Sequence, residues 1–170
     1  MSGNLAGDTA DYSCDVGHKL VGDASLECQL GGQWSAPPPE CVFVDCGAPA
    51  APANGRVDTK TNGTTFASVA SYSCGADYQL EGQQRRVCQE DGTWSSRAPT
   101  CQLIRCEEPE LPEGGFVLGT DFTVHSEITY HCEMGHRMVG KKTSKCLPTK
   151  SWDSPPPTCV CKSSMTITLH

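Results

Sequence analysis

Twelve cysteines are the residues of this 170-residue sequence best suited to chemistry. Clustered thiolates bind zinc, but zinc sites commonly use Cys-x-x-Cys pairs and the sequence has none; its closest pair is Cys159-Val160-Cys161. The cysteines therefore favour disulfides, which persist in oxidising compartments. We expect a secreted protein or the extracellular part of a cell-surface protein.

No motif in the sequence indicates catalysis. Gly-x-Ser-x-Gly, His-Glu-x-x-His and phosphate-binding glycine loops are all missing from it. His131 and His136 are predicted to flank a strand, which suits solvated surface better than a metal site. We predict no enzyme activity, no cofactor and no metal.

Composition excludes further classes of protein. A net charge of −7 argues against nucleic-acid binding, and no run approaches the roughly 18 apolar residues that span a bilayer. Seventeen Gly and twelve Pro exclude long helices. The first residues do not resemble a signal peptide, so we expect a fragment or a partial isoform.

The cysteines belong to an internal repeat. In each of three copies, a second Cys follows the first after 14 residues, a Trp follows after 6 more and a third Cys after 7 more. The copies are Cys14, Cys28, Trp34, Cys41; Cys74, Cys88, Trp94, Cys101; and Cys132, Cys146, Trp152, Cys159. Such regular spacing of rare residues indicates three related modules.

The flanking residues repeat as well. A Tyr stands two residues before the first Cys of each copy, where strand alternation places both on one face. A Gly follows that Cys after eight residues, and a Pro precedes the last Cys by two. These residues are Tyr12, Tyr72, Tyr130; Gly22, Gly82, Gly140; and Pro39, Pro99, Pro157. The second and third copies are also preceded by Cys46 and Cys106.

Together these positions resemble the sushi family, also called complement control protein modules or short consensus repeats. The resemblance implies an all-β chain of tandem small, disulfide-stapled modules in an elongated array, with little or no helix. It implies that in each module the first Cys pairs with the third and the second with the fourth. The implied pairs are Cys14–Cys41, Cys46–Cys88, Cys74–Cys101, Cys106–Cys146 and Cys132–Cys159. The Trp and Tyr of each copy are expected in the core.

The resemblance to the sushi family divides the chain into segments. Module 1 (residues 1–41) lacks its opening Cys, whereas module 2 (46–101) and module 3 (106–159) are complete; residues 161–170 begin a truncated fourth module or form a tail. Cys28 and Cys161 are left without family partners. Parity permits their pairing, but two modules separate them, so we predict free or intermolecular thiols.

Several surface residues are candidates for contact with other molecules. Asn62-Gly63-Thr64 is an N-glycosylation acceptor. Basic spots at Arg85-Arg86 and around Lys141-Lys142 suit heparan sulfate or an acidic partner, or are ordinary solvated residues. The core positions leave Phe66 and Phe122 as candidate partner contacts.

Two local features carry expectations of their own. Phe43, in the segment after module 1, is expected to pack at the junction with module 2. Lys150 stands where the other copies have the turn glycines Gly32 and Gly92, which predicts a differently shaped turn in module 3.

The predicted function is a non-catalytic extracellular array that binds other extracellular or cell-surface proteins, in adhesion, complement-type regulation or receptor and synaptic organisation. Two alternatives remain open. One is the non-catalytic arm of a secreted serine protease zymogen, and the other is a passive spacer in a larger adhesion receptor.

Overall fold

The computed structural model describes residues 5–59 and 63–162. Fourteen short β-strands and no helix occur in these two ranges, which confirms the all-β prediction. Strands of three to six residues are expected where glycine and proline interrupt the chain so often. The described ranges therefore hold no helix long and apolar enough to cross a bilayer.

The strands follow one another with similar lengths in each module. In chain order they are β1 (Thr9–Asp11), β2 (His18–Val21), β3 (Ser25–Glu27), β4 (Glu40–Phe43), β5 (Gly55–Asp58), β6 (Val69–Cys74), β7 (Tyr78–Glu81), β8 (Arg85–Val87), β9 (Thr100–Leu103), β10 (Gly115–Leu118), β11 (Glu127–Cys132), β12 (His136–Val139), β13 (Thr143–Lys145) and β14 (Thr158–Cys161).

The strands are distributed over two compact units. The first unit contains the described residues up to Ser73 together with Leu80–Thr100, and the second contains Cys74–Gln79 and the described residues from Cys101 onward. Sheets of order β1-β3, β2-β4 and β5-β6-β8 belong to the first unit, and β10-β11-β13 and β12-β14 to the second. Strands β7 and β9 pair with each other and have residues in both units, and Cys74, the last residue of β6, lies in the second unit.

A tyrosine and a small or branched apolar residue form the core of each three-stranded sheet. Alternation along β6 buries Ala70 and Tyr72, and alternation along β11 buries Ile128 and Tyr130. Both tyrosines are 1% exposed, and each lies on the central strand of its sheet.

Five disulfides reinforce these small cores. They join Cys14 to Cys41, Cys46 to Cys88, Cys74 to Cys101, Cys106 to Cys146 and Cys132 to Cys159. These are the five pairs that the family resemblance implies. With sequence separations from 27 to 42, each bridge stabilises the fold by about 4 kcal/mol in the chain-entropy model.

Module 1 is more open than the other two modules. In its described part β1 pairs only with β3, whereas β6 and β11 each have two neighbouring strands. Tyr12 is 37% exposed and Trp34 is 42% exposed. The prediction that these two residues lie in the core is therefore wrong.

The segments after the additional cysteines explain this difference. The indole N–H of Trp94 donates a 3.0 Å hydrogen bond to the carbonyl of Gly47, and Trp152 donates one of 3.0 Å to Glu107. Gly47 and Glu107 directly follow Cys46 and Cys106, which have no counterpart within residues 1–41. Trp94 and Trp152 are half-buried under these segments.

The turn before the tryptophan has the same shape in all three modules. Lys150 has φ 64°, close to the 72° of Gly32 and the 80° of Gly92. Its N–H donates a 3.0 Å bond to the carbonyl of Leu147, as the Gly92 N–H does to Gln89. The expectation of a differently shaped turn is wrong: here a lysine adopts the left-handed conformation, at a cost of about 1 kcal/mol.

Candidate protein-binding surface

The segment joining modules 1 and 2 is fixed by backbone hydrogen bonds on both sides. Val44 is buried; its N–H donates a 2.9 Å bond to the Gly17 carbonyl, and its carbonyl accepts one of 2.9 Å from the Phe66 N–H. Asp45 then pairs with Thr65 in a β-bridge. A linker bonded to both of its neighbours restrains the surface that modules 1 and 2 present together within the first unit.

The segment after module 2 repeats this pattern inside the second unit. Ile104 is buried; its N–H donates a 2.9 Å bond to Asp77, and its carbonyl accepts one of 2.9 Å from Val124. Val44 and Ile104 each stand three residues after the last Cys of a module. That shared apolar position was the sequence signal for the linkers, and the sequence reasoning missed it.

Two phenylalanines near the first linker differ from expectation. Phe66, a candidate partner contact, packs on the backbone of Gly17 so closely that a Cβ on Gly17 would lie 2.5 Å from its ring. Phe43, which was expected to pack at the junction, is 70% exposed and packs at a tilt of 38° against the His18 ring, with ring centroids 4.4 Å apart. Val44 and Phe66 therefore occupy the place in the junction that was predicted for Phe43.

An open cleft of about 580 Å³ runs beside Phe43. We call it the Phe43 cleft. It is lined by His18, Lys19, Val42, Phe43, Val44, Asp45, Glu90, Asp91 and Gly92. It combines an exposed aromatic ring, contributed by the linker, with polar side chains from both modules of the first unit.

Carboxylates give this cleft a negative character. Hydrogen bonds from the Thr64 hydroxyl and the Gly47 N–H lower the pKa of Asp45, and the hydroxyl and N–H of Thr93 lower that of Asp91. Both groups are therefore charged at neutral pH and in mild acid. Lys19 is the basic side chain that lines the same cleft.

The predicted basic spot at Arg85 and Arg86 consists of two unlike residues. Arg85 is exposed. Arg86 is half-buried, and its guanidinium donates to the Tyr72 hydroxyl at 3.1 Å and to the carbonyls of Trp94, Ser95 and Ser96 at 3.1, 2.8 and 2.9 Å. The hydrogen-bonding capacity of Arg86 is thus largely used inside module 2.

The remaining partner candidates lie in module 3. Lys141 and Lys142 are both exposed, in the turn between β12 and β13. Phe122 is half-buried and packs edge-on against Trp152, with ring centroids 6.0 Å apart. The predicted glycosylation site Asn62 lies outside the described residues.

Cys28 and Cys161 are the free thiols of the described ranges. Cys28 is buried, whereas Cys161 is exposed at the end of β14 with its Sγ 3.5 Å from Nε2 of His136. His131 stacks on Phe116 at 5.3 Å. Across residues 5–59 and 63–162, no group of three or more His, Cys, Asp or Glu side chains is arranged to hold a metal ion.

This arrangement of strands, bridges and tryptophans defines a family. The sequence profile described as Sushi repeat (SCR repeat) matches residues 2–41, 46–101 and 106–159. The chain belongs to the sushi-repeat family, as its resemblance predicted.

Similarity to curated proteins extends over nearly all of the chain. It is 35% identical over 153 residues to the mouse (Mus musculus) "Sushi, von Willebrand factor type A, EGF and pentraxin domain-containing protein 1", covering 90% of this chain and 4% of that protein. It is 32% identical over 163 residues to the C4b-binding protein alpha chain of Bos taurus, covering 90% and 27%. It is 34% identical over 163 residues to clotting factor C of Tachypleus tridentatus, covering 89% and 16%. The chain thus spans a small part of each of these relatives.

Proposed function

We propose that this chain is a non-catalytic array of extracellular binding modules and that the Phe43 cleft is its main contact with a partner protein. The observation that carries the proposal is the 70% exposure of Phe43 beside a linker bonded to both neighbouring modules. Aromatic side chains are enriched among the residues that dominate binding energy. A restrained backbone reduces the entropy lost when such an anchor is bound.

The charges around Phe43 suggest the chemistry of that partner. The carboxylates of Asp45, Glu90 and Asp91 line the cleft against the single ammonium of Lys19. A complementary surface would place an apolar side chain on Phe43 with basic side chains beside it. Opposite charges of this kind accelerate association and exclude acidic competitors.

The family supports an extracellular location. A C4b-binding protein and a multidomain protein with sushi, EGF and pentraxin domains are among the relatives, and five disulfides fit an oxidising compartment. We therefore place the chain outside the cell, secreted or on a cell-surface protein. In that setting we expect the acceptor Asn62 to carry a glycan.

A site-specific crosslinking experiment tests the Phe43 cleft. The full chain would carry a photoreactive benzophenone side chain at position 43, or at position 30 as a control, because Leu30 is 98% exposed in the same module. We expect position 43 to crosslink a protein of extracellular fluid or of a cell surface, and excess unmodified chain to prevent it. Position 30 should give no such product.

Purified partner then provides the quantitative step. Phe43→Ala should weaken binding at least about tenfold, the loss typical of an anchoring aromatic residue, whereas Leu30→Ala should change the Kd less than about twofold. Equal affinity of the two variants would contradict the assignment of the cleft.

A second candidate partner is heparan sulfate, which the exposure of Lys141 and Lys142 favours. Sulfate groups would bind these ammonium groups in a salt-dependent way. Lys141→Ala/Lys142→Ala should elute from heparin at lower salt than the parent chain, and the exposed Arg97→Ala should serve as the control. Unchanged elution of the double variant would exclude this site.

The zymogen alternative has a different observation in its favour, namely the similarity to clotting factor C. A trypsin-like domain in the same reading frame would establish it. Absence of a saturable crosslink at position 43 would favour the passive-spacer alternative.

A further inference from the structure

Two tyrosines at the same repeat position have different hydrogen bonding. Tyr72 and Tyr130 are both 1% exposed. The Tyr72 hydroxyl accepts a 3.1 Å bond from Nη1 of Arg86, whereas the Tyr130 hydroxyl is buried without a hydrogen-bond partner in the described part of the chain. A buried hydroxyl that lacks a partner is uncommon and calls for a specific reason.

The difference originates in the neighbouring strand. Ser144 stands two residues before Cys146, as Arg86 stands two residues before Cys88. The Ser144 hydroxyl donates to Asp153 at 2.9 Å or to the Ser154 carbonyl at 3.0 Å. Module 3 therefore lacks the guanidinium that module 2 places on its tyrosine, and among the described residues no other donor takes its place at the Tyr130 hydroxyl.

Tyr130 also lines an acidic cleft of about 290 Å³ in the second unit. Glu107, Glu108 and Glu110 line it with Tyr130 and the Trp152 side chain, and Lys150 is its one basic residue. Burial raises the pKa of the Tyr130 phenol, and the negative charge of Glu110 raises it further. We call this the Tyr130 cleft.

The matching segment of module 2 has no acidic side chain. Gly47, Ala48 and Ala50 occupy the positions of Glu107, Glu108 and Glu110. The glutamates therefore occur in module 3, where no cation of the described residues is bonded to the Tyr130 hydroxyl. They are missing from the matching segment of module 2, where Arg86 bonds to Tyr72. Excess negative charge and an unused acceptor both favour a positively charged hydrogen-bond donor.

We propose that the Tyr130 cleft binds the guanidinium of an arginine side chain presented by a partner protein. The bound group would donate one N–H to the Tyr130 hydroxyl, as Arg86 does in module 2, and the others to the glutamates. The indole of Trp152 would add a cation–π contact. Because the hydroxyl is covered in this structure, binding requires side chains at the border of the cleft to rotate.

This inference rests on the proposed function only in taking the partner to be a protein, and its test needs no partner. The probe is N-acetyl-L-arginine amide, titrated into the full chain with tyrosines labelled with ¹³C at Cζ. The four tyrosines give separate signals. We expect the Tyr130 signal to shift in a saturable way at millimolar probe, while the Tyr72 signal, already bonded to Arg86, stays in place.

Matched ligands and variants separate the outcomes. The neutral isostere N-acetyl-L-citrulline amide should cause no shift, and Phe43→Ala should leave the arginine titration unchanged even if the Phe43 cleft fails its own test. Tyr130→Phe, followed through nearby backbone amides, should weaken probe binding about fivefold, the worth of one hydrogen bond. Glu110→Gln should weaken it by a similar factor.

Stability provides a readout that a purely structural tyrosine would not give. Tyr130→Phe removes an unpartnered hydroxyl and should keep or raise the melting temperature, whereas Tyr72→Phe loses the bond to Arg86 and should lower it. Equal binding of arginine and citrulline probes, an unmoved Tyr130 signal, or a Tyr130→Phe variant that binds as the parent chain does would each overturn the proposal.

Discussion

Pro157 packs directly on the backbone of Gly140, so that a Cβ on this glycine would lie 3.0 Å from both Cα and Cβ of the proline. Gly140 also has φ 123°, a conformation that side-chain-bearing residues avoid. The repeated glycine and the repeated proline thus contact each other. In module 3 this contact joins the residue after β12 to the residue before β14. The contact recurs as Gly82 with Pro99 and Gly22 with Pro39.

Gly140→Ala should destabilise module 3 by about 2–3 kcal/mol, because the new methyl group meets proline atoms and strains the backbone. Gly135→Ala is the control: its φ of 86° is also positive, but a Cβ there meets nothing within 4 Å. We expect the control to cost about 1 kcal/mol. Hydrogen exchange of peptides covering β12 and β14 measures both, and similar exchange in the two variants would show that the proline contact is unimportant.

Arg86→Ala should destabilise module 2 by about 2–4 kcal/mol, since it leaves the buried Tyr72 hydroxyl and three carbonyls without their charged donor. The exposed Arg85→Ala should change stability by no more than about 0.5 kcal/mol. Denaturant unfolding monitored by exchange of the β6 and β8 amides distinguishes the two. If both variants unfold alike, the guanidinium network does not stabilise the module.

Acid should weaken module 3 through Asp153. Its carboxylate accepts hydrogen bonds from the Lys145 N–H, the Ser144 hydroxyl and the Ser154 hydroxyl. These bonds hold its pKa below the ordinary 3.8, so the folded state binds the proton less readily than the unfolded state. The stabilisation is complete above the unfolded pKa and is lost as the pH falls through the lower folded pKa.

Asp153→Asn should therefore lower the melting temperature at pH 7 and flatten its fall as the pH drops below 3.8. Since hydrogen bonds are the main cause, raising the salt concentration should leave most of the difference in place. A variant with the same acid profile as the parent chain would show that Asp153 does not contribute.

The repeated positions of Cys, Trp, Tyr, Gly and Pro were sufficient to indicate the family, and the resemblance to that family implied the all-β fold and the five disulfide pairs. Burial was harder to predict. Tyr12 and Trp34 occupy the same repeat positions as Tyr72 and Trp94, but they are exposed, whereas the Trp94 indole is hydrogen-bonded to Gly47, outside the repeated pattern. A repeat pattern identifies a position without identifying what covers it.

Side-chain contacts within the candidate sites were also beyond the sequence. The sequence does not distinguish Phe43 from Phe66, but strand register places Phe43 opposite the half-buried His18, and Phe66 packs on Gly17. The position two residues before the second repeated Cys holds Leu26, Arg86 or Ser144, and only the neighbouring tyrosine gives the arginine its role. A side chain acquires such a role from its neighbour on the adjacent strand, and the spacing of residues along the sequence does not identify that neighbour.

The two free thiols should differ strongly in reactivity. Cys161 is exposed, whereas Cys28 is buried, so a reagent reaches the Cys28 thiol only when module 1 opens locally. Under native conditions iodoacetamide should alkylate Cys161 at least about tenfold faster than Cys28, as followed by peptide mass spectrometry, and denaturant should remove the difference.

With oxidised glutathione, the Cys161 thiol should first form a mixed disulfide and release glutathione. The Cys161 thiolate of a second copy would then displace the remaining glutathione and give a covalent dimer. Cys161→Ser should abolish this dimer and Cys28→Ser should retain it; a dimer that depends on Cys28 would contradict the burial of that thiol.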